Sequence, residues 1–149
     1  MKKQQLTSIA RRLLTSEPHS TTILIRLMVG FVFLSEGIQK FIFPEVLGAA
    51  RFEKIGLPQP DVLEYLVGSF EALCGLFVLI GLFTRLAVIP LIIIMIVAIG
   101  TTKITILQKD GFWEMLHASR TDWSMLLGCI FLLITGAGRW SLDKILLRH

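Results

Sequence analysis

The sequence predicts an all-α integral membrane protein, an antiparallel bundle of four helices. Three observations predict it. Of the 149 residues, 54% are hydrophobic and only 17% are charged, whereas globular domains carry about 25% charged residues. The charges fall in short clusters separated by apolar runs long enough to span lipid, roughly 20 residues per helix. These runs are continuous rather than alternating, which argues against strands, and a helix satisfies its own backbone hydrogen bonds in lipid.

Residues 1–20 are polar and basic. Leu6, Ile9, Ala10, Leu13 and Leu14 recur at helical spacing among Lys2, Lys3, Arg11 and Arg12. This pattern predicts a cytoplasmic amphipathic segment lying on an anionic membrane face. A cleaved signal peptide fits less well, because the next apolar run contains Glu36 and lacks a small-residue cleavage site.

The first span is expected over residues 23–43, the second over 62–83, the third over 86–107 and a shorter fourth over 123–137. Together they make one unit over residues 21–143, followed by a cytoplasmic tail at 144–149. In the first connection Pro44, Gly56, Pro58 and Pro60 act as breakers, with room for a short interfacial helix around Val46, Leu47, Ala50 and Ile55. Thr84 and Arg85 are expected to form a tight turn between spans two and three. Residues 108–122 form the third connection and carry Trp113 and His117.

Lys and Arg placement sets orientation. One side holds Lys2, Lys3, Arg11, Arg12, Arg85, Arg139, Lys144 and Arg148. The other holds Arg51, Lys54, Lys109 and Arg120, with Lys40 and Lys103 near that boundary. The first side has the excess, so both termini are expected in the cytoplasm of a prokaryotic cell, with the spans in its inner membrane. The net charge of +4 reads as these flanking charges. It does not read as nucleic-acid binding, since the basic residues form no stripe interleaved with aromatics. Trp113, Trp123 and Trp140 sit near expected interfaces, where amphipathic rings settle.

No metal-ligand spacing joins Cys74, Cys129, His19, His117 and His149. The two cysteines lie in separate apolar runs. They read as small core residues, with an inter-helix disulfide or a redox thiol as the alternative. No His lies within a span, so haem ligation from inside the bundle lacks its usual residue.

The informative residues are those that should avoid lipid. Arg26, Glu36, Gln39 and Lys40 lie in span one, Glu71 in span two and Lys103 at the end of span three. A charge at mid-bilayer costs at least about 2.5–3.5 kcal/mol, so each must face the interior, find a partner or lose its charge. Glu36 and Lys40 stand in the favourable acid-before-base order at i,i+4. Gly68, Glu71 and Gly75 share one helix face, and small residues there let another helix approach. Gly30 and Gly37 offer a similar face on span one. At about 1.5 Å rise per residue, Glu36 lies roughly 10 Å and Glu71 roughly 15 Å below the outer ends of their helices. A polar cluster of Glu36, Gln39, Lys40, Glu71, Lys103 and Asp122 is therefore expected in the outer half. It reads either as a salt-bridge network that fixes helix register or as a ligand or proton site. Arg26 stands apart near the inner surface. There Arg139 and Asp143 are spaced to pair, or Asp143 meets Arg85, in a structural clamp.

The ordered motifs resemble those of the DoxX family of small four-helix membrane proteins. They are Arg26-Leu-Met-Val-Gly30, Glu36-Gly37-Ile38-Gln39-Lys40, Phe52 with Gly56-Leu57-Pro58, and Glu71 with Gly75. Gly81-Leu-Phe-Thr84-Arg85 and Gly136-Ala-Gly138-Arg139 with Ser141-Leu142-Asp143 complete the set. The resemblance covers about residues 23–143. It implies a subunit of a membrane oxidoreductase complex, since founding members belong to an archaeal thiosulfate:quinone oxidoreductase. A quinone is the cofactor so implied, and an oxidoreductase subunit the partner. Many members carry His where this chain has Glu36, which argues against His-based chemistry here. The alternatives are a non-enzymatic protein that binds or moves a small hydrophobic or sulfur-containing molecule, and a scaffold for a soluble partner. The Gly-bearing faces also permit a homodimer.

Overall fold

The computed structural model describes residues 20–146. Residues 1–19, with most of the amphipathic segment expected over 1–20, and tail residues 147–149 lie outside the described residues. Among the described residues every regular element is helical.

The first helix, α1, runs over Thr22–Ile42 and stops before Pro44, which lacks the N–H a continuing helix needs. Two short helices follow, α2 (Pro44–Leu47) and α3 (Ala49–Lys54), separated at Gly48. The expected interfacial helix is thus split in two. Pro60 opens α4, Pro60–Ile80, at the position where its fixed φ suits a helix start.

Gly81, at φ 70°, ends α4. Leu82 N–H donates to Phe77 O (2.9 Å) and Gly81 N–H to Val78 O (3.2 Å), the Schellman closure that satisfies the last carbonyls. The turn between the second and third spans is therefore residues 81–83, and Thr84 already opens α5, Thr84–Ala98. The glycine decides this, because it takes the left-handed conformation without a Cβ clash.

Helical structure continues past α5 through a π-helical stretch, Ile99–Lys103, into α6, Ile104–Asp110. Gly111 then turns the chain into α7, Phe112–Ala118. Residues 108–122, expected as a connection, are thus largely helical. The chain continues as α8, Arg120–Thr135, and after Gly136 as the short α9, Leu142–Leu146.

Thr22–Ile42, Pro60–Ile80 and Thr84–Asp110 are long and apolar enough to cross a membrane. With 16 residues, α8 is shorter than the roughly 20 that a full crossing takes.

Close backbone approach holds α1 against α4. A Cβ added at Gly37 would lie 2.4 Å from Ala72 N, and one at Gly75 would lie 2.5 Å from Leu34 N. Gly30 faces Gly75 and Leu79, whereas Gly37 faces Gly68 and Ala72, so the two helices run antiparallel. In lipid, association rests on such packing rather than on apolar burial, because the tails are as apolar as Leu. The opposed glycines therefore act as the contact surface itself. Helix α5 packs on α4 and α8, and α8 closes back on α1. At that last contact Gly128 makes room for Val29 Cγ2.

The shared interior holds Val29, Phe33, Val78, Val88, Leu91, Met125, Cys129 and Leu132. Leu24, Phe31, Leu73, Ile93 and Ile134 point outward, the inverse of a water-soluble helix and suited to a lipid surround. Cys74 and Cys129 are both buried free thiols, so the inter-helix disulfide is not formed and the small-core reading fits them.

Candidate functional site

Two polar assemblies stand at opposite ends of the packed helices. One is built on Arg26, buried in the first third of α1. Its Nε donates to Val78 O at 3.0 Å and Nη2 to Leu79 O at 2.6 Å. Its Nη1 donates to Ala137 O at 3.0 Å and also to Trp140 O. A helix end leaves its last carbonyls without partners and carries partial negative charge. Arg26 supplies both donors and charge to the end of α4, and ties in the chain that leaves α8.

Asp143 works in the opposite sense beside it. Its carboxylate accepts from Phe83 N–H (2.6 Å) and Thr84 N–H (3.3 Å), capping the start of α5 from a distant segment. Asp143 N–H in turn donates to Gly81 O at 2.9 Å. Burial pushes the Asp143 carboxyl above the usual range, against the lowering pull of those two N–H bonds and of the Arg26 charge. Arg85 Nη2 donates to Ile134 O at 2.9 Å, and Arg139 is exposed. The clamp expected here is thus made from side chain to backbone: Asp143 meets the turn that carries Arg85 through the N–H groups of Phe83 and Thr84.

The other assembly surrounds a cavity of about 400 Å³. Lys40 Nζ lies 2.5 Å from Glu71 Oε2, and both side chains are buried. Glu36 Oε2 is 3.8 Å from the same ammonium and its side chain is partly exposed. The i,i+4 spacing alone pointed Lys40 at Glu36. The close approach of α1 and α4 instead makes Glu71 the nearer partner. A buried ammonium needs such a partner, because desolvation of a lone charge is far larger than any single hydrogen bond.

Lys103 Nζ pairs with Asp122 Oδ2 at 2.8 Å and donates to Ala118 O at 2.9 Å. This ties the π-helical stretch to the start of α8, where Asp122 also suits the positive helix end. Glu36, Lys40, Glu71 and Asp122 all line the cavity, and Lys103 joins them through Asp122. Gln39 lies elsewhere: its Nε2 donates to Ser35 Oγ at 2.7 Å, one turn back on α1.

Sequence reasoning did not reach several lining residues. Arg51 and Phe52 come from α3, and Thr101 and Thr102 from the π-helical stretch. The two threonine hydroxyls donate to carbonyls one turn back: Thr101 Oγ1 to Val97 O at 2.8 Å and Thr102 Oγ1 to Ala98 O at 2.6 Å. A π-helical turn adds a residue to the turn and is frequent at functional sites. Nothing in the sequence marks it. Glu64 is the other omission. It is buried, and its Oε2 accepts from Ala49 N–H at 3.0 Å, which anchors α3 above the cavity. Gly48 leaves the room, since a Cβ there would lie 2.4 Å from Glu64 Oε1. A signal existed, because the face of Gly68, Glu71 and Gly75 reaches Glu64 one turn earlier.

The chemistry available is that of a buried ion pair beside two further carboxylates, a guanidinium and threonine hydroxyls, inside otherwise apolar walls. Such a site can receive a small molecule with polar atoms on an apolar body, and can exchange protons with it.

The family model DoxX matches residues 21–104. The "Uncharacterized membrane protein Rv3486" of Mycobacterium tuberculosis (strain ATCC 25618 / H37Rv) is 55% identical over 139 residues, covering 89% of this chain and 85% of that protein. The "Putative oxidoreductase CatD" of Bacillus subtilis (strain 168) is 32% identical over 123 residues, covering 82% of this chain and 84% of that protein. No solved structure matches the chain.

Proposed function

The chain belongs to the DoxX family of membrane proteins, and on that premise we propose that it is a subunit of a membrane oxidoreductase complex that binds a quinone headgroup and handles its protons. The observation that carries this reading is the buried Lys40–Glu71 pair, 2.5 Å apart, opening with Glu36 onto a cavity of about 400 Å³. A relative named as an oxidoreductase supports it.

The residues fit such a group. The Lys40 ammonium and the Arg51 guanidinium are donors for carbonyl oxygens, and Glu36 and Glu71 are acceptors for hydroxyl protons. Phe33, Phe52 and Met125 offer flat and adaptable surfaces for a ring. A bound quinone supplies a carrier of two electrons and two protons. This chain's part is to orient the ring and hold protons at Glu71 and Glu36. The partly exposed Glu36 gives those protons a way out.

The test is a titration of purified protein with a tail-less benzoquinone, 2,3-dimethoxy-5-methyl-1,4-benzoquinone. Glu71→Gln keeps the side chain's shape and an acceptor for Lys40 but removes the charge. It is expected to weaken binding about tenfold, near 1.4 kcal/mol, with helicity unchanged. Equal affinity in both proteins would move the reading toward non-enzymatic binding of an apolar molecule in the same cavity.

The proposal includes a topology: an inner-membrane protein in which α8 makes a fourth crossing and both termini face the cytoplasm. The basic excess on the terminal side supports it, as does the packing of α8 between α5 and α1. A phosphatase reporter fused after His149 is then inactive, while a fluorescent protein there folds. An active phosphatase overturns the topology.

A further inference from the structure

We infer that the cavity opens sideways between α4 and α5, and that its ligand carries an apolar tail that leaves through this slit into the bilayer. The inference rests on the headgroup reading above and adds a route and a second recognition element to it.

The outward stripe of α4 passes through Val62, Leu66, Phe70 and Leu73, and that of α5 through Ile89, Ile93 and Val97, all exposed. A side chain on an outward stripe normally touches nothing inside. Leu66, Ile93 and Val97 also line the cavity, although they are 49%, 57% and 46% exposed. A residue that belongs to both surfaces stands at the rim between them. Among the described residues, no other exposed large apolar side chain lines the cavity; its remaining exposed lining residues, Arg51 of α3 and Thr121 of α8, are polar. The apolar part of the rim is thus confined to one seam.

The polar lining is segregated from it. Glu36 and Lys40 sit on α1, Glu71 on the inward face of α4, Arg51 on α3 and Asp122 on α8, while Thr101 and Thr102, one turn beyond Val97, turn their hydroxyls back onto the carbonyls of Val97 and Ala98. The cavity therefore has a polar floor and an apolar side exit. A polar solute entering from water has no use for an opening walled by Leu, Ile and Val. The complementary ligand is an amphiphile with a small polar head and a hydrocarbon tail. Both rim helices satisfy their own backbone groups, so a gap between them exposes only side chains to lipid.

Two probes with one head and different tails test this in nanodiscs: 2,3-dimethoxy-5-methyl-1,4-benzoquinone and its 6-decyl derivative. Leu66→Trp and, separately, Ile93→Trp narrow the slit from lipid-facing positions where a larger side chain does not disturb the core. Each is expected to weaken the decyl probe at least about tenfold and to leave the tail-less probe within about twofold. Comparing one probe across variants cancels its partition into lipid. If both variants leave the decyl probe unchanged, or weaken both probes equally, the side exit is wrong and the headgroup reading stands. If neither probe binds the wild-type protein, the headgroup reading fails and the exit falls with it.

Discussion

Glu71→Leu alone is expected to destabilise the protein by about 3–5 kcal/mol, and adding Lys40→Met is expected to recover most of that loss while leaving the protein unable to bind the benzoquinone. The reason is an asymmetry in buried ion pairs. Removing one member leaves the other charge buried without compensation, whereas replacing both by apolar side chains of similar volume is often neutral or stabilising. Lys40 and Glu71 are both buried and 2.5 Å apart, and Glu36 at 3.8 Å with a partly exposed side chain is a weaker substitute. Denaturant or thermal unfolding of the wild type, the two single variants and the double variant gives the coupling directly. A double variant that is stable and binds the benzoquinone normally would show that the pair only fixes helix register. A single Glu71→Leu variant as stable as wild type would show that Lys40 does not depend on Glu71 at all.

Arg26→Lys is expected to cost roughly 3 kcal/mol or more, although it keeps the charge. Hydrogen bonds from charged donors contribute about 1.5–3 kcal/mol each, without simple additivity. The guanidinium reaches Val78, Leu79, Ala137 and Trp140 through three nitrogens in one plane. A Lys ammonium presents its donors at a single point and cannot bridge the end of α4 and the chain after α8 together. Val78 O keeps only the Gly81 N–H, and the carbonyls of Leu79 at the helix end and of Ala137 and Trp140 beyond α8 lose the guanidinium donor. The measurement is the unfolding midpoint in detergent, with cavity binding as the control. Loss of stability with benzoquinone affinity retained in the folded fraction matches a clamp distant from the site. An Arg26→Lys variant of wild-type stability would remove Arg26 from the account of the fold.

Much of the polar cavity lining could be read in advance, but its pairing could not. Glu36, Lys40, Glu71 and Asp122 stood out because ionisable residues in apolar helices are expensive wherever they point. That Lys40 meets Glu71 depended on how closely α1 approaches α4, which is set where Gly37 meets Ala72 and Gly68, and that Asp122 meets Lys103 depended on how the π-helical stretch lies against α8. Gln39 shows the limit from the other side. It lies beside Lys40 in the sequence, yet one residue along a helix rotates a side chain by about a quarter turn or more, and Gln39 reaches Ser35 instead. Arg51, Thr101 and Thr102 were missed because a charged residue in a connection, or a hydroxyl near a helix end, is ordinary by composition. Only the placement of α3 and the π-helical stretch brings them to the cavity.

By itself the sequence determined the helical class, the apolar stretches that can cross a membrane, and the glycine faces by which they meet. These follow from contiguous residues, because a helix in lipid makes its backbone hydrogen bonds locally. The tertiary structure decided the rest: Lys40 against Glu71, Arg26 beneath the end of α4, Asp143 capping α5, and a cavity rimmed by Leu66, Ile93 and Val97. Each of those depends on groups tens of residues apart arriving within a few ångströms, a distance that packing sets and local pattern does not encode.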